Sequence, residues 1–438
     1  MKRVLTVAYD FPPRRTSGVY RTTNLTKHLS RLGWQPVVLT LAQRESDVED
    51  ATLLAGFPQE IPIERTKDLN ISGWEDRAAA GIRATGGLKS RVQDIHQPRR
   101  DRWVRSIGDF IRASLYFPDD TVGWVPGAFA RAAELHLQHR FDLVYTTSPP
   151  RSAPVVGLLL KTLFGIPWVA EFRDPWYASD RPWRRRFDEG LFSLLLTRAD
   201  AVVAVAKGNA TEIEKRFSHP PGHVHVIHNG YDEGDFARDE GRCDFLPAEY
   251  FHFSHFGTVY PGFSGRFFEA LADLLRECPQ LREKLCVNVI GSPDEIVRDH
   301  AAKGLLEGVL KLHRFVSHDV ALQAMRASDC LLVFLGDPHV ASLAVSGKIY
   351  DYLRVGRPIL AVAPRGETTE FIQEGRAGWV VDPEDTEGIK RTLREILHDG
   401  RRSEPPRPFR PEFVEQFRYD RLAGKLANVF DSMLSHGS

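Results

Sequence analysis

Residues 330–363 read CLLVFLGDPHVASLAVSGKIYDYLRVGRPILAVA. The run Leu331–Leu335 offers no polar face, so it reads as a strand buried on both sides. Gly336-Asp337-Pro338 stops it, and a loop of small and polar residues follows. Ser346-Gly347-Lys348 then opens a helix carrying Tyr350, Asp351 and Tyr352, and Gly356-Arg357-Pro358 closes it before a second apolar run, Ile359–Ala363. Strand, helix, strand is the unit from which parallel sheets are built, with a right-handed crossover.

The same alternation extends along the whole chain. In the first half the strands are RVLTVAY, PVVLTL, FDLVYTT, PWVAEF and AVVAVA; in the second they are FHFSHFG, CVNVIG, LKLHRF, CLLVFL and PILAVA. Helical patterns separate them. Two successive sets imply an α/β protein of two doubly wound, Rossmann-like domains, which suits 438 residues, too many for one ordinary core. The join is placed at VHVIHNGYD, where a strand meets Asn229-Gly230, giving an N-terminal domain 1–222 and a second domain 223–412. After the Pro-rich stretch SEPPRPFRPEF, residues 413–438 read as a terminal helix packing across both lobes.

Composition narrows the function classes. Lys+Arg and Asp+Glu are both 58, so overall charge selects no acidic or basic partner. Cys243, Cys278, Cys286 and Cys330 have no CxxC spacing, which argues against a zinc site or a disulfide framework and fits a reducing compartment. No apolar run reaches the ~18 residues needed to span a bilayer, so the expectation is a cytoplasmic protein.

Two stretches carry candidate chemistry. The Ser346-Gly347-Lys348 helix start would gather N–H groups, a dipole and an ammonium at one spot, an arrangement suited to a diphosphate. Asp351, at i+3 from Lys348, would share its face and accept hydrogen bonds from ribose hydroxyls. The alternative is a capped helix with a surface Lys–Asp pair. Near the N-terminus, AYDFPPRRTSGVYRTTNLTKHL places a long loop after the first strand, with Gly18 at its tip and Thr22 and Thr23 near a helix start. It lacks G-x-G-x-x-G, and no G-x-x-x-x-G-K-[ST] occurs anywhere, so dinucleotide-fingerprint and P-loop readings are excluded.

SGKIYDYLRVGRPILAV resembles the C-terminal-domain motif of GT-B glycosyltransferases of the GT4 type. The N-terminal loop and helix, FDLVYTTSPPRSAPVVGLLLKTLFGIPWVAEFRDPW, and RADAVVAVAKGNATEIEKRF followed by VHVIHNGYDEGDF resemble further motifs of that family, in order. The resemblance implies two Rossmann-like domains facing across a cleft, the donor nucleotide sugar on the second and the acceptor on the first. It implies transfer with retention to a saccharide or lipid-linked acceptor, in polysaccharide or glycolipid biosynthesis. Departures are visible. Leu343 stands where the first glutamate of the acidic signature is usual, with Asp351 at the second. Thr258 replaces a common arginine after Gly257, leaving Arg266 and Lys348 as the sources of positive charge.

The implied donor-binding set is Gly18, Gly257, Thr258, Arg266, His339, Ser346, Gly347, Lys348 and Asp351. Glu171, Arg173 and Asp174 are the implied catalytic set, with Arg173–Asp174 readable instead as a structural ion pair. Pro118-Asp119-Asp120 follows a helical stretch rather than a strand, so no metal and no cofactor is expected. Residues 83–112 and 181–187 combine basic and aromatic residues, as a contact with the anionic inner face of the cell membrane would require. No nucleic-acid-binding module is recognised. Two rival readings share the fold: a non-catalytic sugar-nucleotide-binding partner and a nucleotide-sugar epimerase.

Overall fold

The structure is a computed structural model; it describes residues 1–16, 18–43, 50–54, 56–69, 116–176, 182–216, 222–237, 243–260, 265–302, 304–399 and 409–435. The basic segment 83–112 lies outside the described residues. The chain forms two compact units. The first comprises Met1–Val203, Phe217–His225 and Ala427–Ser438, the second Ala204–Arg216 and Val226–Leu426. The division is therefore interleaved: the helix Lys207–Arg216 belongs to the second unit, and the last helix, Tyr419–Ser435, changes unit after Leu426.

The first unit is built on a seven-stranded sheet in the order β3-β2-β1-β4-β5-β6-β7. Its strands are β1 (Lys2–Val7), β2 (Trp34–Leu41), β3 (Ile63–Thr66), β4 (Leu143–Ser148), β5 (Trp168–Phe172), β6 (Ala201–Ala204) and β7 (Val224–Val226). The second holds a six-stranded sheet, β10-β9-β8-β11-β12-β13, made of β8 (Phe251–Thr258), β9 (Leu285–Ser292), β10 (Leu310–His313), β11 (Cys330–Phe334), β12 (Ile359–Val362) and β13 (Gly378–Val381). β1 pairs in parallel with β2 and β4, and β8 with β9 and β11. The order reverses at β1 and at β8, and ligands of open parallel sheets bind beyond the carboxyl ends of strands at such switch points.

The central strands carry the buried runs that the sequence marks. β4, β5, β6 and β11 have no exposed residue. β3 and β13 escape the sequence reading because both are short, half-buried sheet edges with a weak apolar signal. In the second unit one face of the sheet packs Phe253, Val287 and Leu332 against Phe267, Leu271 and Leu274 of the helix Gly265–Glu277. The other packs Phe256, Leu331 and Val333 against Tyr352, Leu353 and Phe371.

Candidate active site

In the second unit the carboxyl end of β8 reads His255-Phe256-Gly257-Thr258. Gly257 has φ +95°, a backbone that a side chain would strain, and a Cβ there would lie 3.6 Å from Lys348 Nζ. The Lys348 ammonium is thus held beside the end of the strand. Its contact is His255, 0% exposed, whose Nε2 lies 2.9 Å from Nζ. Burial pushes Lys348 down to about 7. Among the described residues no carboxylate pairs with it.

The surrounding geometry corrects several expectations. The helix begins at Ile349, with Lys348 at its N-cap, rather than at Ser346. Ser346 N–H donates to Thr368 Oγ1 at 3.0 Å, so it is not a free donor for a ligand. Gly347 is exposed, with nothing within 4 Å of a Cβ placed on it. The expected loop before it contains the helix Pro338–Leu343, capped by Asp337, whose carboxylate accepts from His339 N–H at 2.8 Å. His339 itself is exposed.

Asp351 makes no ion pair with Lys348, contrary to the alternative sequence reading of a surface Lys–Asp pair. It sits under the electrostatic influence of His318 and Asp235, and burial pushes its carboxyl up to about 6. Its Oδ1 is buried without a hydrogen-bond partner among the described residues. Arg266 is half-exposed and pairs with Glu269 at 3.3 Å and Glu384 at 3.6 Å, so its charge is already matched. Thr258 is exposed at the strand end.

In the first unit Glu171, on β5, is 0% exposed. Its Oε2 accepts from Arg21 Nε at 2.8 Å and Nη2 at 2.5 Å, and its Oε1 from Thr147 Oγ1 at 2.6 Å. Burial opposes the charge, but Arg21 and Thr147 outweigh it and hold the carboxyl below its ordinary value. Glu171 is therefore a structural anion, and its expected contact with substrate is withdrawn. Arg173 donates to the Pro149 carbonyl at 2.6 Å. A Cβ on Gly18 would lie 1.5 Å from Arg173 Nη1, so the glycine makes room for this guanidinium. Thr22 and Thr23 are buried in the helix Val19–Leu29 and bond back to the carbonyls of Gly18 and Val19. Asp174 is exposed just beyond β5 and forms no ion pair with Arg173.

Asp119, of the Pro-Asp-Asp stretch, anchors the helix Ser152–Phe164: its carboxylate accepts from Ser152 N–H at 3.2 Å and Ser152 Oγ at 2.5 Å. Among the described residues no cluster of His, Cys, Asp and Glu has metal-site geometry. Sequence reasoning missed His255, Arg21 and His318. For His255 there was a trace to follow, a histidine two residues before Gly257 in a strand where Phe251, Phe253 and Phe256 supply the apolar residues. Arg21 and Glu171 are 150 residues apart, and no local pattern joins them.

Residues 18–230 match the glycosyl transferase 4-like domain, and residues 259–399 match glycosyl transferases group 1, together most of the chain. A D-inositol 3-phosphate glycosyltransferase from Streptomyces avermitilis is 24% identical over 261 residues, 55% of this chain and 53% of that protein. The chain thus spans about half the length of that curated relative. Among solved structures, a glycosyltransferase from Rickettsia africae ESF-5 has a TM-score of 0.65 at 14% identity, covering 99% of this chain and 98% of the other. Anabaena Alr3699/HepE in complex with UDP has a TM-score of 0.62 at 17% identity, covering 99% and 100%. These structures share the two-domain GT-B fold with both units described above, and the two family matches run through the motifs around Gly18 and Lys348. The chain belongs to the GT4-like glycosyltransferases of GT-B fold.

Proposed function

We propose that the protein transfers a sugar from a nucleoside-diphosphate sugar to a saccharide or lipid-linked acceptor. The observation that carries this is Lys348: an ammonium at the carboxyl end of β8, beside the Gly257 backbone, with no carboxylate among the described residues to neutralise it. In glycosyl transfer the bond from the anomeric carbon to the diphosphate breaks through an oxocarbenium-like species, and negative charge grows on the departing diphosphate. A preorganised cation there lowers the barrier because it is stronger toward the leaving group than toward the bound donor. Asp351, with its unfilled acceptor oxygen, suits the ribose hydroxyls, and Gly347 leaves room for the diphosphate. The Streptomyces relative, a D-inositol 3-phosphate glycosyltransferase, accords with sugar transfer, and the UDP in the Anabaena structure with this class of donor.

On this reading the donor lies on the second unit and the acceptor on the first, where Asp174 is the remaining exposed carboxylate of the expected set. Transfer proceeds with retention and without a metal. The work is done in polysaccharide or glycolipid assembly, at the inner face of the cell membrane. Of the 181–187 cluster, Arg184 donates to the carbonyls of Tyr116 and Pro118, while Arg186 is exposed and Phe187, edge-on to Phe117, keeps most of its ring exposed toward a lipid surface. Among the described residues no helix is long and apolar enough to cross a membrane.

The test is transfer of labelled sugar from a panel of nucleoside-diphosphate sugars, with and without a chelator. Transfer should survive chelation, and Lys348→Ala should lower kcat/KM by about a hundredfold or more, the scale of losing one preorganised transition-state donor. Release of free epimerised sugar nucleotide would replace this reading with an epimerase. Donor binding without any turnover would leave a non-catalytic partner.

A further inference from the structure

We infer that His255 is a positioning residue for the donor's diphosphate: from inside the sheet it holds the Lys348 ammonium at the end of β8 as an unneutralised cation. The inference rests on the reading of Lys348 as the cation that faces the diphosphate.

The two imidazole nitrogens fix how the ring works. Nδ1 lies 3.0 Å from the Leu332 carbonyl of β11, and a carbonyl can only accept, so Nδ1 carries the proton. Nε2 then presents a lone pair, and the Lys348 ammonium donates to it at 2.9 Å. The opposite tautomer would set the Nδ1 lone pair against the Leu332 oxygen and aim an N–H at an ammonium. The Thr258 carbonyl, 3.3 Å from Nε2, does not alter this balance, being the longer of the two acceptor contacts. Burial, with the ammonium's charge second, holds the imidazole well below its ordinary range, so the ring is neutral. It stacks on Phe334, centroids 5.1 Å apart and 25° from parallel, and Phe334 packs edge-on against Phe267. The ring cannot swing away.

A neutral acceptor suits an anion site better than a carboxylate would. An aspartate in place of His255 would tether the lysine equally well but cancel its charge, leaving nothing to attract a diphosphate. A purely apolar residue would leave a half-buried ammonium with one fewer acceptor, at a cost typical of hydrogen bonds to charged groups. The groups that face the pair are the Leu332 and Thr258 carbonyls, the Phe334 ring and the Gly257 backbone. Among the described residues no other charged side chain acts on either.

The experiment measures the affinity of the full chain for nucleoside diphosphates by calorimetric titration between about pH 6 and 9. Wild type is compared with Lys348→Ala, His255→Phe and His255→Gln. Wild-type affinity should fall as pH rises through the lysine's titration. His255→Phe should move that fall about one pH unit lower and weaken binding about tenfold near neutrality. His255→Gln, which restores an acceptor, should return the wild-type midpoint. If Lys348→Ala abolishes binding while His255→Phe leaves affinity and midpoint unchanged, His255 does not position the lysine. Should Lys348→Ala bind as wild type does, or wild type bind no diphosphate, the donor-site reading itself is wrong and takes this inference with it. Nitrogen NMR of the wild type decides the point if His255→Phe does not fold: a proton on Nδ1 and none on Nε2 is required, and the reverse overturns the inference.

Discussion

Arg21 and Glu171 show how a single pair separates structure from chemistry. Both side chains are almost fully buried, and each satisfies the other's charge. Two ions in a low-dielectric interior are costly to place there, but removing one partner is costlier, because the other is left uncompensated. Arg21→Met should therefore lower the stability of the first unit by about 3–5 kcal/mol, and the double change Arg21→Met with Glu171→Leu should recover much of the loss. Urea denaturation followed by a probe in the first unit measures this; a single variant as stable as wild type would show that the pair carries no such weight. Gly347 supplies the opposite case. With open space around its Cβ position and no positive φ, Gly347→Ala should leave stability within about 0.5 kcal/mol of wild type. Weakened diphosphate binding in that same variant would mark the backbone as a ligand contact, whereas unchanged binding would remove Gly347 from the donor site.

The helix Pro338–Leu343, like β3 and β13, is an element that sequence periodicity did not show. It has six residues, too few to display an amphipathic repeat, and its composition is that of a loop. Tertiary contacts make it: a Cβ on Gly208, of the helix Lys207–Arg216, would fall 1.8 Å from the Ser342 carbonyl oxygen, and one on Gly366 would fall 2.2 Å from that of Ala341. The obstacle in each case is backbone, which cannot swing aside as a side chain can. Gly208→Ala should displace the helix and with it the loop leading to Lys348, costing about 1–3 kcal/mol by overpacking and weakening nucleotide binding as well. Hydrogen exchange across 336–348 would report the shift, and protection equal to wild type would disprove it. The contrast explains what the sequence disclosed. β11, the helix Ile349–Val355 and β12 were legible because each is long or apolar enough to carry its own signal. Lys348 was legible as a cation at a helix start. That the Ser346 N–H is taken by Thr368 and the ammonium held by His255 depends on partners 22 and 93 residues away, which no local pattern encodes.

Over the whole molecule the formal charges balance, with 58 of each sign, so the pH dependence of stability falls to a few buried groups in each unit. In the first, Glu171 is held below its ordinary 4.5, burial opposing and Arg21 prevailing. A depressed carboxyl contributes stability that is complete above the ordinary value and is lost as pH falls through the folded one. The second unit behaves in the other direction. Burial opposes the charge of His318, but Asp235, Asp351 and Asp319 prevail and raise it from 6.5 to about 8. Its contribution is complete below 6.5 and is lost as pH rises through 8. Asp351, raised by burial from 3.8 to about 6, has the same sign in a lower window: its cost grows between 3.8 and about 6 and is constant above, so the limb above neutrality belongs to His318. The first unit should therefore loosen in acid and the second above neutrality. Hydrogen exchange read separately on the strands β4 and β5 and on the helices His318–Ala327 and Ile349–Val355 resolves the two limbs. His318→Gln should flatten the alkaline limb and leave the acid one untouched; an alkaline limb of undiminished slope would mean that other groups govern it.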